Sequence, residues 1–296
     1  MSENEIKFID RETGKLCTET VMGDKALRFA YDTLAGRVLW PGLFYTGFPS
    51  WLMGKFYDSS LSHQSISKLV QLPGLRADEA EKNWHEYTSF NDFFTRRLKS
   101  GLRTASPDAN ELCSPADGRL FIYPDVDSKK EIPVKGAVRS LEHLCTRQLD
   151  GKRFHVAVVR LAPVDYHRFH YPCDCYQNEN PIKISGKYHS VNPIAFKRAP
   201  DVFVENARCV TDLDSPVFGK IIYIEVGAFG VGSIIQTASG GEHKKMDEKG
   251  FFKFGGSTVI LLMEAEKIKI DDDLLQNSGN GMETLIRCGS RIGIKL

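Results

Sequence analysis

The sequence predicts an α+β protein in two parts: a helical N-terminal region over residues 1–105 and a mostly antiparallel β domain over residues 106–296. Two textures along the chain carry this reading. From Ser59 to Leu98 apolar residues recur at three- and four-residue spacing, the period of a helix face. After about residue 105 short runs rich in β-branched residues take over, among them RFHVAVVRL, GKIIYIEVGA, VGSIIQTA and STVILLM, each bounded by Gly, Asn, Asp or Pro.

Taken in order, the first twelve residues hold four acidic side chains and no apolar block, which fits neither a secretory signal nor a presequence. Residues 38–56, VLWPGLFYTGFPSWLMGKF, carry one charge (Lys55) and six aromatics. Pro41, Gly42, Gly47 and Pro49 argue against a single spanning helix, because backbone groups freed in hydrocarbon would lack partners. An interfacial or re-entrant helical hairpin fits better, with Arg37 and Lys55 favouring anionic lipid; a buried hairpin is the competing reading. Ser89, Asn91 and Asp92 then offer helix caps before FFTRRL.

With 39 Lys+Arg against 38 Asp+Glu the formal charge is +1, so a backbone-tracking nucleic-acid binder is not expected. Seven irregularly spaced cysteines in so long a chain speak for a reducing compartment rather than a disulfide framework.

Three segments hold side chains fit for chemistry. In Ser114-Pro115-Ala116-Asp117-Gly118 the Asp-Gly pair suits a tight hairpin into RLFIY. In LAPVDYHRFHYP, His167 and His170 follow a strand, a place where reactive side chains are often displayed. Cys173 and Cys175 close by raise the question of zinc, but the one-residue gap and Pro172 make a poor tetrahedral ligand set, and no metal is expected. In FKFGGSTVILLM, Ser257 can attack the preceding carbonyl of Gly256 and turn the amide into an ester, and the missing Cβ of Gly256 eases the distortion. Each segment alone is equally well a turn, a structural histidine pair or a glycine hairpin.

Together, and in this order, SFNDFFTRRL, SPADGRL, LAPVDYHRFHYP, GKYHSVNP, VGAFGVGSI and FKFGGST resemble the phosphatidylserine decarboxylases, self-processing pyruvoyl enzymes of phospholipid synthesis. The resemblance runs over nearly the whole chain. It implies a self-cleavage triad of Asp117, His170 and Ser257, with the aspartate orienting the histidine and the histidine activating the serine. It implies that His167 serves the decarboxylation step instead. The cut would fall between Gly256 and Ser257, giving a β chain of residues 1–256 and an α chain of residues 257–296. After elimination and loss of ammonia, Ser257 would become the covalent pyruvoyl cofactor, which forms a Schiff base with phosphatidylserine and acts as an electron sink for release of CO2.

The partners so implied are phosphatidylserine, the membrane surface and the two chains of one cut precursor, with higher assembly left open. The place implied is the cytoplasmic face of the cell membrane, held peripherally. Two departures stand out. The family's frequent Leu-Gly-Ser-Thr is Gly255-Gly256-Ser257-Thr258 here, with the scissile pair intact. A family Asn-Glu-Arg is Asn206-Ala207-Arg208, which lacks the carboxylate. The alternatives are a pyruvoyl decarboxylase of a soluble amino acid, a membrane-docking β scaffold without activity, and a zinc hydrolase.

Overall fold

A computed structural model describes residues 6–19, 47–129, 131–134, 137–187, 202–227, 234–255 and 257–296. Its centre is an 11-stranded sheet. Ten strands lie in the order Gly241–His243, Cys175–Gln177, Arg208–Ser215, Gly219–Gly227, Ser257–Glu264, Arg153–Leu161, Gly118–Asp127, Glu283–Ile286, Lys7–Asp10 and Leu16–Thr18. Ile182–Ile184 adds to Arg208–Ser215 off this path. All neighbours are antiparallel except Lys7–Asp10, which runs parallel to Glu283–Ile286.

The middle strands are apolar on both faces because both faces are covered. Side chains of a strand alternate in direction, and the alternation sorts them into two cores. Val259, Leu261 and Met263 join Ala157, Val159, Ile221 and Tyr223 on one side. Ile260 and Leu262 join Val156, Val158, Ile222, Ile224 and Val226 on the other. Each fully buried Val, Leu or Ile contributes roughly 1.5–3 kcal/mol, so the Ser257–Glu264 strand sits in the best-anchored part of the molecule.

Smaller sheets flank this one. The strands Ile234–Gln236, Glu248–Phe252 and Arg168–His170 form one, and it feeds Phe169 and Phe252 into the first core. The strands Ile268–Ile270, Arg291–Lys295 and Glu111–Cys113 form another.

The helices Gly47–Asp58, Gln64–Val70 and Phe90–Phe94 stand at one end with a core of their own, built on Ile66, Leu69, Tyr87, Phe90, Phe93 and Phe94. Pro49 falls in the first turn of its helix, where a missing N–H costs no intrahelical bond. Ser89 caps the Phe90–Phe94 helix, its Oγ accepting from Asp92 N at 3.2 Å. Asn91 does not cap; it is buried and used elsewhere. Phe254 packs edge-on against Tyr57, Phe90 and Phe94, which joins the helices to the turn ahead of Ser257.

The α+β class is as the sequence predicts, with two corrections. The N-terminal region is not helical throughout, since Lys7–Asp10 and Leu16–Thr18 are strands of the large sheet. Beside them Glu19 is buried against Arg160, with Nη2 to Oε2 at 2.7 Å, and Arg160 also meets Glu283 at 2.7 Å. Nor is Asp117-Gly118 a hairpin turn. The preceding strand Glu111–Cys113 belongs to a different sheet, and residues 115–117 are a bend between the two. Gly118 is required for closeness: a Cβ there would lie 2.6 Å from Arg160 O, at a φ of +156°. The portion of the aromatic segment before residue 47 lies outside the described residues, as do most of GKYHSVNP and of VGAFGVGSI.

Candidate active site

Ser257 opens the central Ser257–Glu264 strand, in register with Gly227 on one side and Leu161 on the other, and is fully buried. Just before it Gly255 has a φ of +149°, a backbone state that L side chains rarely adopt. Asn91 steadies this approach: its Oδ1 accepts from Phe254 N at 2.9 Å while its Nδ2 donates to Asp58 at 2.9 Å. Gly256 and hence the geometry of the Gly256–Ser257 bond lie outside the described residues.

His167 reaches Ser257 from the loop that follows the Arg153–Leu161 strand. Asp165 folds that loop back, its N donating to Ala162 O at 2.9 Å and its carboxylate accepting from Ala162 N at 2.6 Å. The same Ala162 carbonyl lies 3.0 Å from His167 Nε2. A carbonyl can only accept, so Nε2 carries the hydrogen, and the neutral ring presents a bare Nδ1. That nitrogen is 3.3 Å from Ser257 Oγ. Phe94 stacks on the imidazole with ring centres 3.9 Å apart. Burial, and next the Arg96 guanidinium, push the His167 pKa down to about 3, so the ring is neutral at pH 7.

Asp117 and His170 form a second group. The buried Asp117 carboxylate accepts from Arg103 Nε at 2.8 Å, from Arg103 Nη2 at 2.7 Å and from Cys288 N at 2.8 Å. His170 ties its backbone N to Pro115 O at 2.8 Å, and its Nδ1 lies 3.4 Å from Cys288 Sγ. Cys288 therefore bridges Asp117 and His170. Burial lowers the His170 pKa to about 4, against the opposing pull of Glu248 and Asp117.

All four residues singled out from the sequence are thus gathered at one end of the central strands. Ser257 is joined to His167, and Asp117 is linked to His170 through Cys288. Among the described residues no hydrogen bond joins Asp117 directly to His170, or His170 to Ser257. Three participants escape sequence reasoning: Arg103, which grips Asp117; Cys288, which bridges; and Ala162, which acts through its carbonyl. Asn206, in the altered Asn-Ala-Arg triplet, donates to Gly227 O at 2.8 Å, the residue in register with Ser257. Arg208 donates to the carbonyls of Leu144 and Asn206. Among the described residues no cluster of three or more His, Cys, Asp or Glu side chains could hold a metal.

The model of the family "Phosphatidylserine decarboxylase" matches residues 90–294. The chain is 41% identical over 297 residues to the phosphatidylserine decarboxylase proenzyme of Clostridium novyi, covering 98% of this chain and 100% of that protein. The proenzyme of Clostridium kluyveri is 40% identical over 98% of this chain and 99% of its own length. That of Chlamydia muridarum is 38% identical over 99% and 98%. With the family match running from the Phe90–Phe94 helix through the last strand, and these relatives aligned over essentially their whole lengths, the chain belongs to the phosphatidylserine decarboxylase family.

Proposed function

We propose that Ser257 is the nucleophile with which this phosphatidylserine decarboxylase cuts its own chain at Gly256–Ser257, and the residue that becomes its pyruvoyl group. The reaction is the conversion of phosphatidylserine to phosphatidylethanolamine and CO2. The observation that carries the proposal is the buried Ser257 Oγ facing a bare histidine nitrogen 3.3 Å away, next to a glycine turn. Residue 257 fits the group: it is shielded from water and touches a side chain able to hold a proton. The pyruvoyl group supplies a carbonyl that takes up a primary amine and draws off the electron pair left by CO2.

The protein's own side chains handle protons around residue 257. In the division that the sequence resemblance implies, His170, linked to Asp117, takes the proton of Ser257 during processing. His167 holds a proton at Nδ1 beside residue 257 in the later step. The contact between His167 and residue 257 supports the second role, and the Cys288 bridge supports the pairing of His170 with Asp117. A second reading exchanges the two roles. It is favoured by the tautomer that Ala162 imposes, which leaves His167 Nδ1 free to accept from Ser257 Oγ in the uncut chain. Acid–base help of either kind is worth roughly a hundred- to ten-thousand-fold.

Intact-protein mass spectrometry tests the proposal. The purified protein should show two chains, residues 1–256 and residues 257–296, the smaller lighter by one ammonia than a serine-started fragment and free of a basic N-terminus. The Ser257→Ala protein should stay whole. One uncut species persisting for days in detergent or lipid would refute the assignment.

We further propose peripheral attachment to the membrane through residues 38–56. In the described part of that segment Trp51 and Leu52 are each 56% exposed, with Phe56 and Leu61 nearby also exposed. Among the described residues no helix is long and apolar enough to cross a membrane.

A further inference from the structure

A cavity of about 310 Å3 opens beside the site, with Asp117, Val164, Asp165 and Tyr166 in its wall. Five arginines line it. Four are matched by carboxylates: Arg76 by Glu79, Arg103 by Glu79 and Asp117, Arg119 by Glu19 and Asp165, and Arg287 by Glu12. Arg96 is the exception. It is 3% exposed, and its Nη2 donates only to neutral carbonyls, Val164 O at 3.3 Å and Asp165 O at 3.2 Å. Its Nε and Nη1 have no hydrogen-bond partner among the described residues.

A buried cation with unused donors is costly unless something offsets the loss of water. The unused donors therefore point to a ligand, and their place says which. Arg96 grips the loop that carries His167 and stands on Phe93, one residue before the Phe94 ring that stacks on His167. In a serine phosphodiester the amino nitrogen and the phosphorus are four bonds apart, roughly 5 Å. An amine delivered to residue 257 thus holds its phosphate about 5 Å from the reacting carbon, and Arg96 is joined to residue 257 through the Val164–Asp165 loop and the Phe94–His167 stack.

The carboxylate is the poorer candidate. The group leaves as neutral CO2 while its negative charge passes to the electron sink, so a guanidinium holding it would favour the ground state over the transition state. The phosphodiester keeps its charge from substrate to product. We propose that Arg96 binds the phosphodiester of the substrate headgroup inside this cavity. This rests on the decarboxylase reading above and adds the residue that recognises a phospholipid rather than a free amino acid.

The test uses the full-length protein and two probes without an amine: glycerophosphoglycerol, a phosphodiester, and acetate, a carboxylate. The Arg96 Nε–H resonance, assigned by its absence in Arg96→Lys, should shift on titration with the diester and stay in place with equal acetate. In Arg96→Gln, first shown by mass spectrometry to be cut, KM for phosphatidylserine should rise at least ten-fold while kcat falls less than three-fold, the signature of binding that is uniform along the reaction. Arg96→Lys should fall between.

A resonance unmoved by the diester, or moved as much by acetate, overturns the proposal. So does a cut, folded Arg96→Gln protein with parental KM. If Arg96→Gln does not fold, the titration of the unaltered protein decides alone. Failure of the decarboxylase reading would be seen separately, as one uncut chain, and the titration would still report whether Arg96 holds a phosphodiester.

Discussion

Ala162 contributes no reactive atom, yet its carbonyl decides which nitrogen of His167 faces Ser257. This makes the two histidines separable by experiment. In the division implied by the family, His170→Ala and Asp117→Ala accumulate uncut precursor, the aspartate change more mildly because an unoriented imidazole keeps some basicity. His167→Ala is then cut, carries a borohydride-reducible group and releases CO2 at least a hundred-fold more slowly. If instead His167→Ala stays whole while His170→Ala is cut, the roles are exchanged. The side chains proposed to carry chemistry are legible in the sequence, since Asp117, His167, His170 and Ser257 stand in short, distinctive segments. Arg103, Cys288 and Arg96 are not. Arg103 and Cys288 act on Asp117 from 14 and 171 residues away, and the meaning of Arg96 lies in two donors left without a hydrogen-bond partner among the described residues, which no local pattern records.

At the level of elements, the turn ahead of Ser257 is held by the helices rather than by the sheet that follows it. Asn91 is the joint: one end of its amide meets Phe254 N and the other meets Asp58, which Lys253 also grips at 2.8 Å. Asn91→Ala should therefore cost about 1–3 kcal/mol of stability, the penalty of buried groups left unpaired. It should also slow the appearance of the small chain in a pulse-chase roughly ten-fold, and cutting at the parental rate would show that the helices do not shape the turn. The central strands were legible because a run of apolar β-branched residues has few other uses. The strands Lys7–Asp10 and Leu16–Thr18 were missed because they are short and half exposed. They exist through pairing with each other and with Glu283–Ile286, near the other end of the chain.

For the molecule as a whole, the exposed Trp51, Leu52, Phe56 and Leu61 put an apolar surface on the helical end, the end whose Phe254 joint leads to Ser257. Burying such a face in lipid gains roughly 25 cal/mol per Å2. Sedimentation with anionic liposomes should fall at least five-fold when Trp40, Phe44, Phe48 and Trp51 are all changed to serine. A folded variant that pellets as well as its parent would place these residues in a core instead. The last forty residues, beginning at Ser257, have a different bearing on the whole. They supply two strands of the large sheet, Ser257–Glu264 between Gly219–Gly227 and Arg153–Leu161, and Glu283–Ile286 between Gly118–Asp127 and Lys7–Asp10. A cut ahead of Ser257 leaves both strands in place, so the fold is kept, but the reaction order of its recovery after unfolding is altered. The uncut chain unfolds as one molecule into one, whereas the cut protein unfolds into two, and its reassembly depends on their meeting. Its melting temperature should thus climb with protein concentration while that of Ser257→Ala stays level; in dilute solution each unfolding event becomes a dissociation, and the mature protein is preserved by how slowly it opens rather than by how readily it returns.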